Sequence, residues 1–100
     1  MRILSLILIT GILIADNSDS LLKATAALNA GMFEEALLHI KKAQNESPTS
    51  PDVHQMKALL HEALHEPKEA LDSWKKCLKY SKDKKVKREA KIHIRILSEE

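Results

Sequence analysis

The sequence predicts an all-α fold in which antiparallel helical hairpins are stacked as a short α-solenoid. The first observation is a repeat, since residues 35–43 (EALLHIKKA) return as residues 69–77 (EALDSWKKC), with five of the nine positions identical. The second is the offset of 34 residues between the copies, which is typical of helical hairpins that bury apolar faces against each other. The third is the scarcity of glycine, two residues in 100, which favours helix.

The N-terminal residues 1–15 are expected to form a signal peptide. Met1 and Arg2 precede an apolar run over residues 3–15, and a polar cluster follows it. As a helix this run would reach only about 20 Å, short of a hydrocarbon core of about 30 Å, and the layout is typical of a secretory signal. We therefore expect an exported protein, periplasmic or secreted, that is cleaved near Ala15. The alternative is a membrane anchor formed by the same segment.

Caps and prolines predict five helices after this segment. We expect them over residues 19–30, 33–45, 51–65 and 67–80, and from a cap at Ser81 or Asp83 to residue 98. Gly31 should end the first helix in a left-handed conformation, while Ser50 caps the third and Pro51 begins it. The predicted units are a first hairpin over residues 16–50, a second over 51–82 and a C-terminal capping helix over 83–100. Their short connections predict antiparallel packing.

Two sets of residues carry a resemblance to a known family. Small residues recur at the 34-residue offset, and a bulky residue stands late in the second helix of each copy. The small residues are Ala24, Ala36, Ala43, Ala58, Ala70 and Cys77, and the bulky ones are Ile40 and Trp74. With these positions the chain resembles the tetratricopeptide repeat family over residues 17–82, and residues 83–100 resemble that family's terminal solvating helix. His65 replaces the family's glycine in the second copy, and Ala27 and His61 stand where large aromatics are expected.

The resemblance implies a non-catalytic protein–protein interaction module, a scaffold or adaptor, that needs no cofactor. Its protein or peptide partner would lie in a concave groove lined by the first helix of each hairpin. The expected groove residues are Leu21, Thr25, Leu28, Asn29, Gln55, Leu59, Glu62 and Ala63. The alternative is that these residues pack against each other or against the fifth helix.

Charge is distributed unevenly along the chain. Residues 16–72 contain ten acids and five bases, whereas residues 75–95 contain ten bases and two acids. The simplest interpretation of the basic third is a solvated helix surface. The alternative is a peripheral binder of anionic surfaces, including membrane surfaces. With three aromatic residues and no recognised motif, the chain is not expected to bind nucleic acid.

The fifth helix carries more apolar residues than a simple cap needs. Val86, Ala90, Ile94 and Leu97 recur at helical spacing, and two further isoleucines, Ile92 and Ile96, stand near them. The arc is wide enough for self-association or for docking on a larger partner.

Residues 61–65, HEALH, match the H-E-x-x-H pattern of zinc proteases. In those enzymes the two histidines bind the metal and the glutamate activates water. His54 falls within about 40° of His61 and His65 on a helix, opposite the apolar arc, so the pattern predicts a solvent-facing stripe. No third ligand follows at the zincin spacing, so we expect no enzyme. A zinc-binding or metallohydrolase protein that uses His54, His61 and His65 is the weaker alternative.

The family pattern gives a different expectation for two of these histidines. It would bury His54 and His61 more than the amphipathic pattern does. The single cysteine, Cys77, replaces Ala43 of the first copy, and we expect it to be a small buried residue.

Overall fold

A computed structural model describes residues 19–99, and in this range the chain forms five helices and no strand. Helix α1 covers residues 19–29, α2 Phe33–Glu46, α3 Pro51–Ala63, α4 Pro67–Tyr80 and α5 Lys84–Ser98. The predicted all-α fold of stacked hairpins is confirmed. None of the described helices combines the length and hydropathy needed to cross a bilayer. The predicted signal peptide, residues 1–15, lies outside the described residues.

The core consists of two apolar clusters that follow one another along the chain. The first joins α1, α2 and α3 through Ala24, Ala27, Ala36, Ile40 and Leu60. The second joins α3, α4 and α5 through Ala58, Trp74, Cys77 and Ala90. Helix α3 belongs to both clusters, so it is the element that holds the two hairpins together.

Burial repeats with the 34-residue period. All the predicted small and bulky positions are fully buried: Ala24, Ala36, Ile40, Ala43, Ala58, Ala70, Trp74 and Cys77. Small residues let helix backbones approach closely, and the large ones fill the space between them. Helix α5 also has a fully buried small residue, Ala90, but Ile92, 34 positions after Ala58, is 42% exposed, so the burial period does not continue into α5.

The turns inside both hairpins have the same backbone conformation. Gly31 has φ 77° and His65, 34 positions later, has φ 60°. The N–H groups of Gly31 and Met32 donate to the carbonyls of Leu28 and Ala27 at 3.0 and 2.8 Å. The N–H groups of His65 and Glu66 donate to Glu62 and His61 at the same two distances. This bond pair is the Schellman motif that ends helices on a left-handed residue.

Most helix boundaries agree with the sequence prediction, and two details differ. Helix α3 ends at Ala63 rather than at residue 65, because the left-handed residue at 65 stops it. Ser50 makes no side-chain capping bond, so Pro51, with its fixed φ, begins the helix without that cap. At α5 the Asp83 carboxylate accepts from the Lys85 N–H at 2.8 Å, which is the predicted cap.

Candidate binding surface

Side chains of α3 contact both α1 and α5, and together these contacts define one candidate surface. Thr25 Oγ1 of α1 lies 3.9 Å from Met56 Sδ of α3. Gln55 Nε2 of α3 donates to Glu89 Oε1 of α5 at 2.6 Å. All eight predicted groove residues lie at least partly open to solvent, with Asn29 exposed and seven half-buried: Leu21, Thr25, Leu28, Gln55, Leu59, Glu62 and Ala63.

Glu62 is the polar centre of this surface. Its Oε2 accepts from the indole Nε1–H of Trp74 at 2.5 Å and from Nδ1–H of His93 at 2.8 Å. The Trp74 and His93 rings stack with centroids 4.2 Å apart. One carboxylate therefore joins α3, α4 and α5, and it supplies a partner for the polar edge of the buried tryptophan.

Glu89 and His93 also belong to this surface and were not predicted from the sequence. Both follow α3 residues by the repeat offset, since Glu89 is 34 positions after Gln55 and His93 is 34 after Leu59. That offset does not predict their contacts, because the burial pattern of the two hairpins does not continue into α5. Gln55 and Glu62 therefore contact the fifth helix, which was the alternative expected for the groove residues.

The apolar members of the predicted groove contribute to the core. Leu28 packs against the first cluster and Leu59 against the second. Thr25 Oγ1 also donates to the carbonyl of Leu21 at 2.9 Å, one turn earlier in α1. Since Asn29 is exposed, it is the side chain most available for a polar contact with a partner.

The predicted solvent-facing histidine stripe is wrong. His54 is 2% exposed and His61 is 9% exposed, as the repeat pattern predicts. His54 Nε2–H donates to the Pro48 carbonyl at 2.7 Å, and His61 Nδ1–H donates to Glu66 Oε1 at 2.7 Å. Within residues 19–99 no three His, Cys, Asp or Glu side chains lie close enough to hold a metal ion.

The H-E-x-x-H residues lie on different structural features. His65 follows the end of α3 in a left-handed conformation, so it does not continue the helical face of His61. Glu62 is bonded to Trp74 and His93. The structure therefore does not bring His54, His61 and His65 together as a ligand set, and Glu62 stabilises helix packing.

Burial determines the charge state of His54. The removal of water lowers the pKa of His54, and this effect exceeds the opposing one of the Pro48 carbonyl. Nδ1 of His54 is buried without a hydrogen-bond partner among the described residues, and the ring stacks on Tyr80 at 5.6 Å. His54 is thus a neutral packing residue that ties the α2–α3 connection to the end of α4.

Burial also suppresses the chemistry of the single thiol. Cys77 is fully buried, and desolvation, aided by Glu89 and Asp52, raises its pKa to about 11. Since the thiolate is the reactive form, Cys77 is a small core residue, as its repeat position predicts.

An open cleft of about 500 Å³ lies on α2, α3 and α4. Its ionisable lining residues are Lys41, Lys57, His61, Lys68, Glu69 and Asp72. Burial first, and Lys76 second, lower the pKa of Lys57, whose Nζ donates to Gln44 Oε1 at 3.1 Å. Because the lining contains both signs of charge, the cleft favours neither an anion nor a cation.

Comparison of the chain with protein-family models, with curated proteins and with solved structures finds no match.

Proposed function

We propose that this chain is a non-catalytic protein–protein interaction module of the tetratricopeptide type. In this proposal an extended partner segment lies across the surface formed by α1, α3 and α5, and the chain acts as a scaffold or adaptor. The 34-residue repeat, the buried small residues and the duplicated turn support the type of fold. Export to the periplasm or the medium belongs to the same proposal and rests on residues 1–15.

One observation carries the proposal: side chains of α3 contact both α1 and α5, and the predicted groove residues on α1 and α3 are partly open to solvent. The bonds from Gln55 to Glu89 and from His93 to Glu62 hold α5 beside α3. Preorganised surfaces bind well because less conformational entropy is lost on association. An adaptor role uses this fixed surface and needs no reacting group.

The test compares the same substitution on two helices. Asn29→Arg adds bulk and charge at an exposed position near the end of α1. Asn45→Arg makes the same change at an exposed position of α2. A partner would first be captured from native extract with the wild-type protein and identified. Its affinity for both variants would then be measured by titration calorimetry.

We expect Asn29→Arg to weaken binding by roughly tenfold, about 1.4 kcal/mol, because the added bulk and charge disturb a packed contact. Asn45→Arg should bind as wild type does. Both positions are exposed, so neither variant disturbs a core cluster, which Leu28→Glu or Leu59→Glu would. Equal affinity of the two variants for the captured partner would refute the assignment of this surface.

A further inference from the structure

The outward side of α5 combines exposed isoleucines with a row of cations. Ile92 is 42% exposed and Ile96 is 53% exposed, and their i, i+4 spacing places them on one row of the helix. The cations on the same exposed half are Lys84, Lys85, Arg88, Lys91 and Arg95. At 100° per residue these seven side chains span about 140° of the helix surface. We call these seven residues the α5 outer face.

We propose that the α5 outer face docks on an anionic lipid bilayer surface. Lys and Arg would lie among the lipid phosphates, and Ile92 and Ile96 would enter the boundary between headgroups and acyl chains. A cluster of Lys and Arg is attracted to an anionic leaflet, and neighbouring apolar side chains add buried area to the contact. The cations extend over about 16 Å of helix, at 1.5 Å per residue, so they contact a planar surface together.

The charge of α5 is available for a partner. Residues 84–98 contain six bases and one acid. None of the five cations of the α5 outer face forms an ion pair with another residue in the described part of the chain. The one acid, Glu89, accepts from Gln55 on α3. The helix therefore presents a net positive field outward.

A second copy of this chain is a poor occupant of this face. In an isologous dimer the same patch meets itself, so five cations would face five cations. Desolvating like charges against each other is unfavourable. A head-to-tail contact, in which this face meets α1 and α2 of a second copy, would gain little electrostatic attraction. Residues 19–46 contain four acids and three bases, so their charge is nearly balanced.

The composition of the face favours lipid over an acidic protein. Cores of protein interfaces are enriched in aromatic residues, methionine and arginine and are depleted in lysine. The α5 outer face has three lysines, two arginines and no aromatic residue. Its polar groups are all donors without an acceptor, which suits a layer of phosphates and offers little to orient a peptide.

The contacts of the inward side of α5 fix this orientation. Ala90 is fully buried, with Val86, Ile94 and Leu97 packed against the second cluster. His93 and Glu89 bond to α3. Because α5 uses its other side for the fold, docking needs no unfolding and no rearrangement of the helix.

The experiment measures co-sedimentation of the full chain with vesicles. One vesicle type is phosphatidylcholine alone, and the other is phosphatidylcholine mixed with phosphatidylglycerol. We expect binding only to the mixed vesicles, with loss at high salt because salt screens the attraction. Lys91→Gln with Arg95→Gln should reduce the partition coefficient by roughly thirtyfold, at about 1 kcal/mol for each cation.

A second double variant tests the apolar contribution. Ile92→Ser with Ile96→Ser should reduce partitioning by about tenfold, since apolar area then stays out of the bilayer. The matched control is Lys41→Gln with Lys42→Gln, two exposed lysines on α2, and it should partition as wild type does. Helical circular dichroism and thermal unfolding of every variant should match wild type, since all these positions are exposed.

Three results would overturn the proposal. If the protein bound both vesicle types equally and the α5 variants did not change this binding, the adsorption would be due to the apolar N-terminal residues. A loss in the α2 control equal to that in the α5 variant would show non-specific attraction. No vesicle binding, together with tight binding of polyglutamate that depends on Lys91 and Arg95, would assign the face to an acidic protein.

Discussion

Replacement of His65 by glycine should stabilise the fold, because His65 occupies a conformation that glycine adopts without strain. His65 has φ 60° and is exposed. A left-handed L-residue costs roughly 1–2 kcal/mol, and histidine is among the residues that tolerate it better. Glycine loses about 0.5–1 kcal/mol more entropy on folding. The difference predicts a gain of about 0.5–1 kcal/mol in the free energy of unfolding for His65→Gly.

The first hairpin supplies the reverse experiment. Gly31 has φ 77°, and a Cβ added there would meet no atom within 4 Å. Gly31→Ala therefore introduces backbone strain without a steric clash. The same two terms predict a loss of about 0.5–1 kcal/mol. Opposite signs at two positions 34 residues apart would identify the duplicated turn as a repeated structural element.

Urea unfolding followed by circular dichroism measures both changes. A change of this size should shift the thermal midpoint by about 2–8 °C in a domain of this length. His65→Ala is the control, because it removes the imidazole and keeps the left-handed backbone, so it should be no more stable than wild type. If His65→Gly is less stable than His65→Ala, the left-handed strain is not present and the reasoning fails.

Four further predictions concern the core. Glu62→Ala should lower the free energy of unfolding by about 1–3 kcal/mol, because the buried indole N–H of Trp74 loses its acceptor. Urea unfolding measures the change, and Trp74→Phe, which removes the donor, is the comparison variant. Since burial lowers the pKa of His54 below 6.5, the unfolded chain takes up the proton first, and stability should fall as pH drops below that value. His54→Gln should remove this part of the pH dependence. Because Cys77 is fully buried, it should react with a thiol reagent only as fast as the chain opens. Equal labelling rates in buffer and in denaturing urea would contradict its burial. Ala70→Leu should destabilise by about 1–3 kcal/mol through overpacking, and an unchanged urea midpoint would contradict the close helix contact.

The repeat positions were predictable from sequence because packing in stacked hairpins is periodic. Ile40 and Trp74 differ in size and chemistry, yet each fills the interior of its cluster. Helix α4 was predicted at its observed bounds, since Pro67 fixes its first turn. The end of α3 was placed two residues late because its left-handed residue is His65 and not glycine, so Pro67 was the stop signal used.

The histidine stripe failed for a different reason. An amphipathic pattern assumes that a helix has one buried face and one solvated face. Helix α3 contributes to both core clusters, so its buried arc extends to His54 and His61. Periodicity along one helix carries no information about a second neighbour. The bonds of Glu62 to Trp74 and His93 were equally unpredictable, since they depend on how α5 is rotated on α3 and α4.

The position of α5 explains how two hairpins form a closed core. Trp74 is fully buried, and its indole contacts groups on both α3 and α5. Without α5 the His93 ring and the buried methyl group of Ala90 would be missing from the second cluster. Part of the Trp74 side chain would then face water. Each Å² of apolar surface exposed in this way would cost about 25 cal/mol of stability. The inward contacts of α5 are therefore required by the fold, and they hold its row of cations and isoleucines in one fixed outward direction.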